Sequence, residues 1–181
     1  SLLAVDDHVA KMVKLLKKTN QMKNTVIVFV SDNGWLQGEH RVPGDKFLPY
    51  EESLKVPFIL AGPGVPVDRT VGVQVSNVDF AATLLQIAGA KAGRTQDGIP
   101  LIPVARNEKK TAPRALGIEA PSPLFLNDTL PQQWDQPYTG VRTADWKFVE
   151  WKTGETELYD LKKDPYEINN VVADPANAAI K

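Results

Sequence analysis

The stretch that decides the reading runs Thr25-Val26-Ile27-Val28-Phe29-Val30-Ser31-Asp32-Asn33-Gly34. A continuous β-branched and aromatic run ends abruptly in turn-forming residues. Such a run, without polar alternation, predicts a strand buried on both faces, as in parallel sheets covered by helices. Upstream, Leu2, Val5, Val9, Val13 and Leu16 recur at three- and four-residue steps, the signature of one helix face. Asp6 and Asp7 lie early in that helix. Lys11, Lys14, Lys17 and Lys18 lie late, the order its dipole favours, and they read as a solvated face. Thr19-Asn20 closes the helix. A helix followed by a strand of this kind predicts an α/β layer. In open α/β sheets ligands gather at the carboxyl ends of strands, which is where Asp32 and Asn33 stand.

Beyond Gly34 a long polar loop runs to Tyr50, punctuated by Gly38, Pro43, Gly44 and Pro49. Long loops without regular structure are often functional. Val56 to Ala61 reads as the next strand, with Gly62-Pro63-Gly64 as its turn. Ser76 and Asp79 form a capping-box variant at a helix start. Phe80, Leu84, Leu85, Ile87 and Ala88 supply that helix's apolar stripe, and Gly89 its stop. The polar, basic stretch 103–114 marks a boundary, predicting a domain over 1–102 and a small α+β subdomain over 103–181. Leu116 to Glu119 reads as one strand there. Tyr138 to Arg142, Trp146 to Lys152 and Thr156 to Leu161 read as three antiparallel strands, with Thr153-Gly154-Glu155 as a hairpin turn. Pro121 to Pro137 is a loop rich in Pro, Gln and Asn. Asp164-Pro165-Tyr166-Glu167 and Asp174-Pro175 resemble helix starts.

Composition narrows the function. The 181 residues suit one domain with a small second layer. Lys and Arg number 21 against 22 Asp and Glu, a net charge of -1, which gives no support to a general nucleic-acid binder. The absence of cysteine removes disulfides, zinc-thiolate sites and thiol catalysis together. No apolar run approaches the roughly 18–20 residues of a membrane span. No signal peptide opens the chain, and its first residues already look helical, which reads as a fragment or a processed chain.

The loop residues have chemistry to offer. Asp32 supplies a hard anionic oxygen and Asn33 a neutral carbonyl oxygen beside it. Calcium and magnesium take such ligands, about six to eight of them for calcium, so the remainder must come from elsewhere. The same Asp-Asn-Gly sequence is also an ordinary turn after a strand. Lys46 is a point charge with three donors, suited to a tetrahedral oxyanion. His40 can donate a proton or a hydrogen bond near neutral pH. With a metal the two would make a sulfate or phosphate clamp; taken singly, each is also an ordinary polar-loop residue.

The joint pattern is more specific. Ser31-Asp32-Asn33-Gly34, Gly38-Glu39-His40, Asp45-Lys46, Tyr50-Glu51-Glu52-Ser53, Val56-Pro57 and Gly62-Pro63-Gly64 occur in that order. Together they resemble the active-site stretch of type I sulfatases. Val5-Asp6-Asp7, Val75-Ser76-Asn77-Val78-Asp79, Asp97-Gly98, and Glu157-Leu158-Tyr159-Asp160-Leu161 with Asp164-Pro165 and Glu167 are similar to flanking elements of that family. The resemblance extends from about Val5 to Asp174. It implies a partial alkaline-phosphatase-like α/β sheet with flanking helices, followed by a small C-terminal antiparallel sheet plus helix. It implies that Asp32 and Asn33 ligate a divalent cation, calcium or alternatively magnesium. It implies that Lys46, with His40, binds the sulfate group and serves catalysis. The Leu48-Pro49-Tyr50-Glu51 context is similar to branches that include glucosamine-6-sulfatases.

Type I sulfatases use a formylglycine nucleophile made from the first residue of a Cys/Ser-x-Pro-x-Arg motif. These residues hold no such motif; Lys110-Thr111-Ala112-Pro113-Arg114 has only the Pro-Arg pair. The chain therefore resembles the C-terminal part of a sulfatase, with about half of the active site. The parent enzyme is expected to hydrolyse aryl or sugar sulfates. Phosphate or phosphonate ester hydrolysis on the same superfamily fold is the chemical alternative, and a non-catalytic binding or structural module is the other. Expected partners are a sulfated small molecule or sugar, and either a missing N-terminal segment or a second copy of the chain; nucleic acid and membrane are not expected. The resemblance suggests a secreted or periplasmic location.

Overall fold

The first helix, α1 (Leu2–Lys18), forms where the apolar steps require it. It ends as Asn20 turns left-handed, at φ 57°, with the Thr19 hydroxyl donating to the Leu15 carbonyl at 2.9 Å. None of its residues is buried. In this computed structural model, which describes residues 2–44, 46–121 and 136–180, β1 (Ile27–Val30) realises the decisive run in a setting other than the one expected. It pairs antiparallel with β2 (Phe58–Ala61), Ile27 opposite Ala61 and Val30 opposite Phe58, in a sheet of two strands. The strand is not buried on both faces: Phe29 is 39% exposed and Val30 44%. A β-branched run fixes extended backbone, but the direction of its partner and the layers over its faces are tertiary matters.

The helix α3 (Val78–Ala88) ends as read and starts two residues beyond Ser76, with Asn77 at its N-cap. The Ser76 N–H donates to Asp79 Oδ2 at 2.8 Å, and Gly89 stops the helix at φ 62°. Its burial is the reverse of its hydropathy. Asp79 and Thr83 are buried, whereas Leu84 and Ile87 are exposed. Asp79 Oδ1 accepts the Ile99 N–H at 2.8 Å, and Thr83 Oγ1 accepts the Leu101 N–H at 3.0 Å. These bonds dock the polar side of α3 on α4 (Leu101–Arg106) and the residues before it. The buried face of α4 is Leu101, Ile102 and Val104. Pro103 is tolerated because it lies in the first turn, where its missing N–H costs nothing.

These elements make one compact unit, Ser1–Val30 with Phe58–Thr111; the other comprises Ser31–Pro57 with Ala112–Lys181. The 102/103 boundary read from the sequence falls inside α4, and the loop that follows β1 groups with the C-terminal sheet. That sheet is an antiparallel meander of β3 (Leu116–Ala120), β4 (Tyr138–Arg142), β5 (Trp146–Trp151) and β6 (Thr156–Asp160). Glycine at 154, φ 90°, makes the β5–β6 turn. Most of the Pro121 to Pro137 loop lies outside the described residues. The unit's core joins the sheet to the polar loop: Leu36, Val42, Leu48 and Tyr50 pack with Tyr138, Val149, Trp151 and Tyr159. The ring of Tyr50 meets that of Tyr159 edge-on, at 6.4 Å.

The expected helix at 164–167 is a turn, because Glu167 adopts a left-handed φ of 54° and its side chain is buried instead of capping a helix. Asp174-Pro175 does open a helical turn, the 3₁₀ segment Pro175–Asn177, with Asp174 Oδ1 accepting the Ala176 N–H at 2.9 Å. The mixed α/β architecture with a small antiparallel C-terminal sheet agrees with the fold class read from the sequence. Among the described residues, no helix is long and apolar enough to cross a membrane.

Candidate functional site

After β1 the chain folds back on itself through its own polar groups. The Ser31 hydroxyl donates to the Asn33 carbonyl at 2.8 Å, and Asp32 Oδ1 accepts the Asn33 N–H at 2.9 Å. The Asn33 amide nitrogen donates to the Gly34 carbonyl at 2.7 Å. That bond turns the amide oxygen toward Lys46, whose Nζ donates to Asn33 Oδ1 at 2.9 Å across thirteen residues of chain. Asn33 and Lys46, singled out from sequence, are therefore brought together. Asp32 is exposed at the rim of this turn.

A one-turn helix, α2 (Glu51–Leu54), holds both ends of the pair. The Gly34 N–H donates to the Ser53 carbonyl at 2.8 Å, and the Ser53 hydroxyl donates to the Lys46 carbonyl. The approach at Gly34 is so close that a Cβ there would lie 1.9 Å from the Glu52 carbonyl oxygen. Only glycine lets the backbone beside Asn33 reach α2.

Behind α2 lies a buried ionic cluster. Arg142 makes a fork on Glu51, with Nε donating to Oε1 at 3.2 Å and Nη2 to Oε2 at 2.9 Å. Lys147 Nζ is 2.9 Å from Glu51 Oε1 and 2.5 Å from Glu167 Oε1, and it donates to the Pro49 carbonyl at 2.9 Å. The other Glu167 oxygen accepts the Glu51 N–H at 2.7 Å. The side chains of Lys147 and Glu167 are fully buried. Burial alone would raise the Glu51 pKa; Arg142 and Lys147 outweigh it and hold Glu51 at about 2. At Glu167 burial prevails over Lys147, and the pKa is raised.

His40 has a different neighbourhood from Lys46. Its ring stacks on Tyr50, centroids 3.6 Å apart and 8° from parallel, and Nε2 faces Glu52 Oε2 at 3.7 Å. Burial lowers its pKa, with Glu52 acting in the opposite direction. His40, Glu52 and Glu167 present ligand atoms within 4.8 Å of one another, a spacing that a metal ion could bridge. The Lys147 ammonium lies 2.5 Å from Glu167 Oε1 and supplies that carboxylate's counter-charge.

Sequence reading marked Asp32, Asn33, His40 and Lys46 but missed the cluster formed by Glu51, Arg142, Lys147 and Glu167. One signal was available. Lys147, Val149 and Trp151 alternate along β5 and are all buried, so the lysine occupies an inward position among apolar neighbours. An inward lysine needs a carboxylate partner.

Comparison with known proteins adds the family context. Residues 38–181 match the family described as N-sulphoglucosamine sulphohydrolase, C-terminal. The human N-acetylglucosamine-6-sulfatase is 33% identical over 197 residues, covering 94% of this chain and 36% of the relative. A structure of BT4656 in complex with its substrate D-glucosamine-2-N,6-O-disulfate superposes with a TM-score of 0.84 at 30% identity, covering 99% of this chain and 36% of the other. The phosphonate monoester hydrolase of Agrobacterium radiobacter superposes with a TM-score of 0.77 at 26% identity, covering 97% and 36%. The chain thus spans about a third of the length of the curated relatives it matches.

Proposed function

We propose that this chain, which belongs to the type I sulfatase family as its C-terminal region, supplies the sulfate-binding and part of the metal-binding machinery of an enzyme that hydrolyses sulfate esters. The carrying observation is the contact between Lys46 Nζ and Asn33 Oδ1. It sets a cationic donor against an oxygen of the kind that ligates hard metals. Lys46 would bind a sulfate oxygen and offset the charge that builds on the leaving-group oxygen as the S–O bond breaks. His40, held by Tyr50 and Glu52, is the second residue proposed to serve the sulfate group.

The donor set fits a hard divalent cation. Asp32 offers a carboxylate, and the Gly34 contact fixes Asn33 with its oxygen rather than its nitrogen toward the site. Calcium, or alternatively magnesium, would be held by Asp32 and Asn33 as part of a larger oxygen shell. When bound, such an ion polarises sulfate oxygens. The formylglycine nucleophile of type I sulfatases would come from outside these 181 residues, and the part of this chain is to bind, orient and neutralise.

A sulfated amino sugar is the substrate class best supported. One relative is named for N-acetylglucosamine 6-sulfate, and one structural neighbour holds a glucosamine disulfate. The phosphonate hydrolase neighbour supports a second reading, since a lysine and a hard cation also suit a tetrahedral phosphorus centre. A relative in Caenorhabditis elegans is named a putative extracellular sulfatase, which supports a location outside the cytoplasm.

The test is turnover by the complete gene product that carries this chain, produced with formylglycine maturation. Substrates are N-acetylglucosamine 6-sulfate, an aryl sulfate and an aryl phosphonate monoester. The sugar sulfate is expected to give the highest kcat/KM. Lys46→Ala is expected to lower it about 10²–10³-fold. Preference for the phosphonate, or full activity in Lys46→Ala, overturns the reading. The 181-residue chain alone is expected to leave the aryl sulfate intact.

A further inference from the structure

We infer that Lys147, whose side chain is fully buried on β5, is a positioning residue for the Asn33–Lys46 pair and acts on it through residues 49–53. The inference rests on the sulfatase reading for the chemistry that the pair serves. Its geometry stands on bonds within one compact unit.

An ammonium has three donors. Lys147 donates to the Pro49 carbonyl at 2.9 Å, and its ammonium forms ion pairs with Glu51 Oε1 at 2.9 Å and Glu167 Oε1 at 2.5 Å. Glu167 returns to the same segment by accepting the Glu51 N–H at 2.7 Å. The entry to α2 is therefore gripped at a carbonyl, an N–H and a carboxylate. The far end of the segment grips the site: the Ser53 carbonyl accepts the Gly34 N–H at 2.8 Å, and the Ser53 hydroxyl donates to the Lys46 carbonyl. Between the two ends runs one helical turn. The N–H groups of Ser53 and Leu54 donate to the Tyr50 carbonyl at 2.9 and 3.0 Å.

A helix of one turn has no stability of its own, so its anchors set its geometry. An apolar side chain at 147 could fill the same volume. It would leave the Pro49 carbonyl without a donor and Glu167 without its counter-charge. Well-packed apolar residues often replace a buried ion pair at no loss of stability. What such a replacement does not reproduce is the hydrogen bond to the Pro49 carbonyl together with the ion pairs to Glu51 and Glu167. The role assigned to Lys147 is to aim α2, and with it the backbone of Gly34 and Lys46.

The experiment reads the Gly34 amide directly. In the 181-residue chain, hydrogen exchange at Gly34 is measured against Val149 in the centre of the sheet, for the parent, for Lys147→Met and for Lys147→Met with Glu167→Met. Gly34 exchange is expected to rise at least about tenfold relative to Val149 in the single variant. In the double variant, which removes both buried charges, the melting temperature is expected to recover while Gly34 exchange stays fast. Recovery of Gly34 protection together with stability would show a purely structural lysine and overturn the inference. Should Lys147→Met not fold, Glu51→Gln is the milder probe. It is expected to speed Gly34 exchange about threefold, and unchanged Gly34 protection overturns the inference. In the complete enzyme, Lys147→Met is expected to lower kcat about tenfold or more with KM changed by less than about threefold. An unchanged kcat also overturns it. A silent Lys46→Ala sinks the sulfatase reading instead, and the exchange measurements still decide the role of Lys147.

Discussion

In the unit formed by Ser31–Pro57 and Ala112–Lys181, Leu36, Val42, Val149 and Leu158 are completely buried. In the unit formed by Ser1–Val30 and Phe58–Thr111, no residue of the seventeen-residue α1 is fully buried, and Ile59 of β2 is 57% exposed. The two units differ in what their apolar residues meet. The polar loop after β1 carries Leu36, Val42, Leu48 and Tyr50 into the face of an antiparallel meander, which closes a core. Among the described residues, the two-stranded sheet β1–β2 and α1 close no comparable core, and Asp79 and Thr83 hydrogen-bond α3 to the Ile99 and Leu101 backbone. Hydrophobic residues stabilise a fold only through surface removed from water. The unit with the candidate site is therefore expected to be the stable one, and the other to carry the sticky surface.

The sharpest way to break this contrast is Lys147→Ala. It leaves Glu51 and Glu167 buried without their shared cation and is expected to cost about 3–5 kcal/mol in chemical denaturation. Leu3→Ala on α1, where the leucine is 78% exposed, is expected to stay within about 0.5 kcal/mol. Equal effects from the two substitutions would erase the distinction between the units.

Gly34→Ala tests how tightly the site is built. The new methyl would fall 1.9 Å from the Glu52 carbonyl oxygen, so α2 must move. A loss of about 1–3 kcal/mol is expected, together with weaker protection of the Gly34 amide.

Acid should act on the clustered unit through Glu51. Its folded-state pKa, about 2, lies below the ordinary 4.5, so the folded state binds fewer protons between those values. Stability is present above the ordinary value and is lost as pH falls toward 2. The raised pKa of Glu167 works with the opposite sign, so the measurement is the difference between the parent and Glu51→Gln. The pH dependence of the urea midpoint should be flatter in Glu51→Gln below pH 4.5.

The most telling test for the open unit is Phe29→Lys with Ile59→Lys. Both positions are exposed but directly opposed in the β1–β2 ladder, so loss of the apolar pair and repulsion between the two lysines should together cost about 1 kcal/mol. The parent chain is expected to self-associate through these apolar surfaces. Light scattering over a concentration series should show larger species for the parent and a monomer for the double variant. A parent that stays monomeric at every concentration would show that these surfaces are harmless.

Local patterns were legible because they depend on neighbours in sequence. The steps of Leu2, Val5, Val9, Val13 and Leu16 specify α1, Gly89 ends α3, and the Thr153-Gly154-Glu155 turn between two strand runs specifies the β5–β6 hairpin. The ordered short motifs from Ser31 to Gly64 specify the family, and within them stand Asn33 and Lys46, which the fold brings to 2.9 Å. What the sequence did not determine depends on surfaces that meet from afar. The run Thr25 to Val30 required a strand, but its antiparallel partner and half-exposed faces follow from what packs on it. Glu167 looked like a helix-capping residue because local rules see only its neighbours. Its place is taken instead by a buried lysine and the Glu51 N–H, 116 residues back along the chain, since a carboxylate that leaves water must find its charge and its donors wherever the fold supplies them.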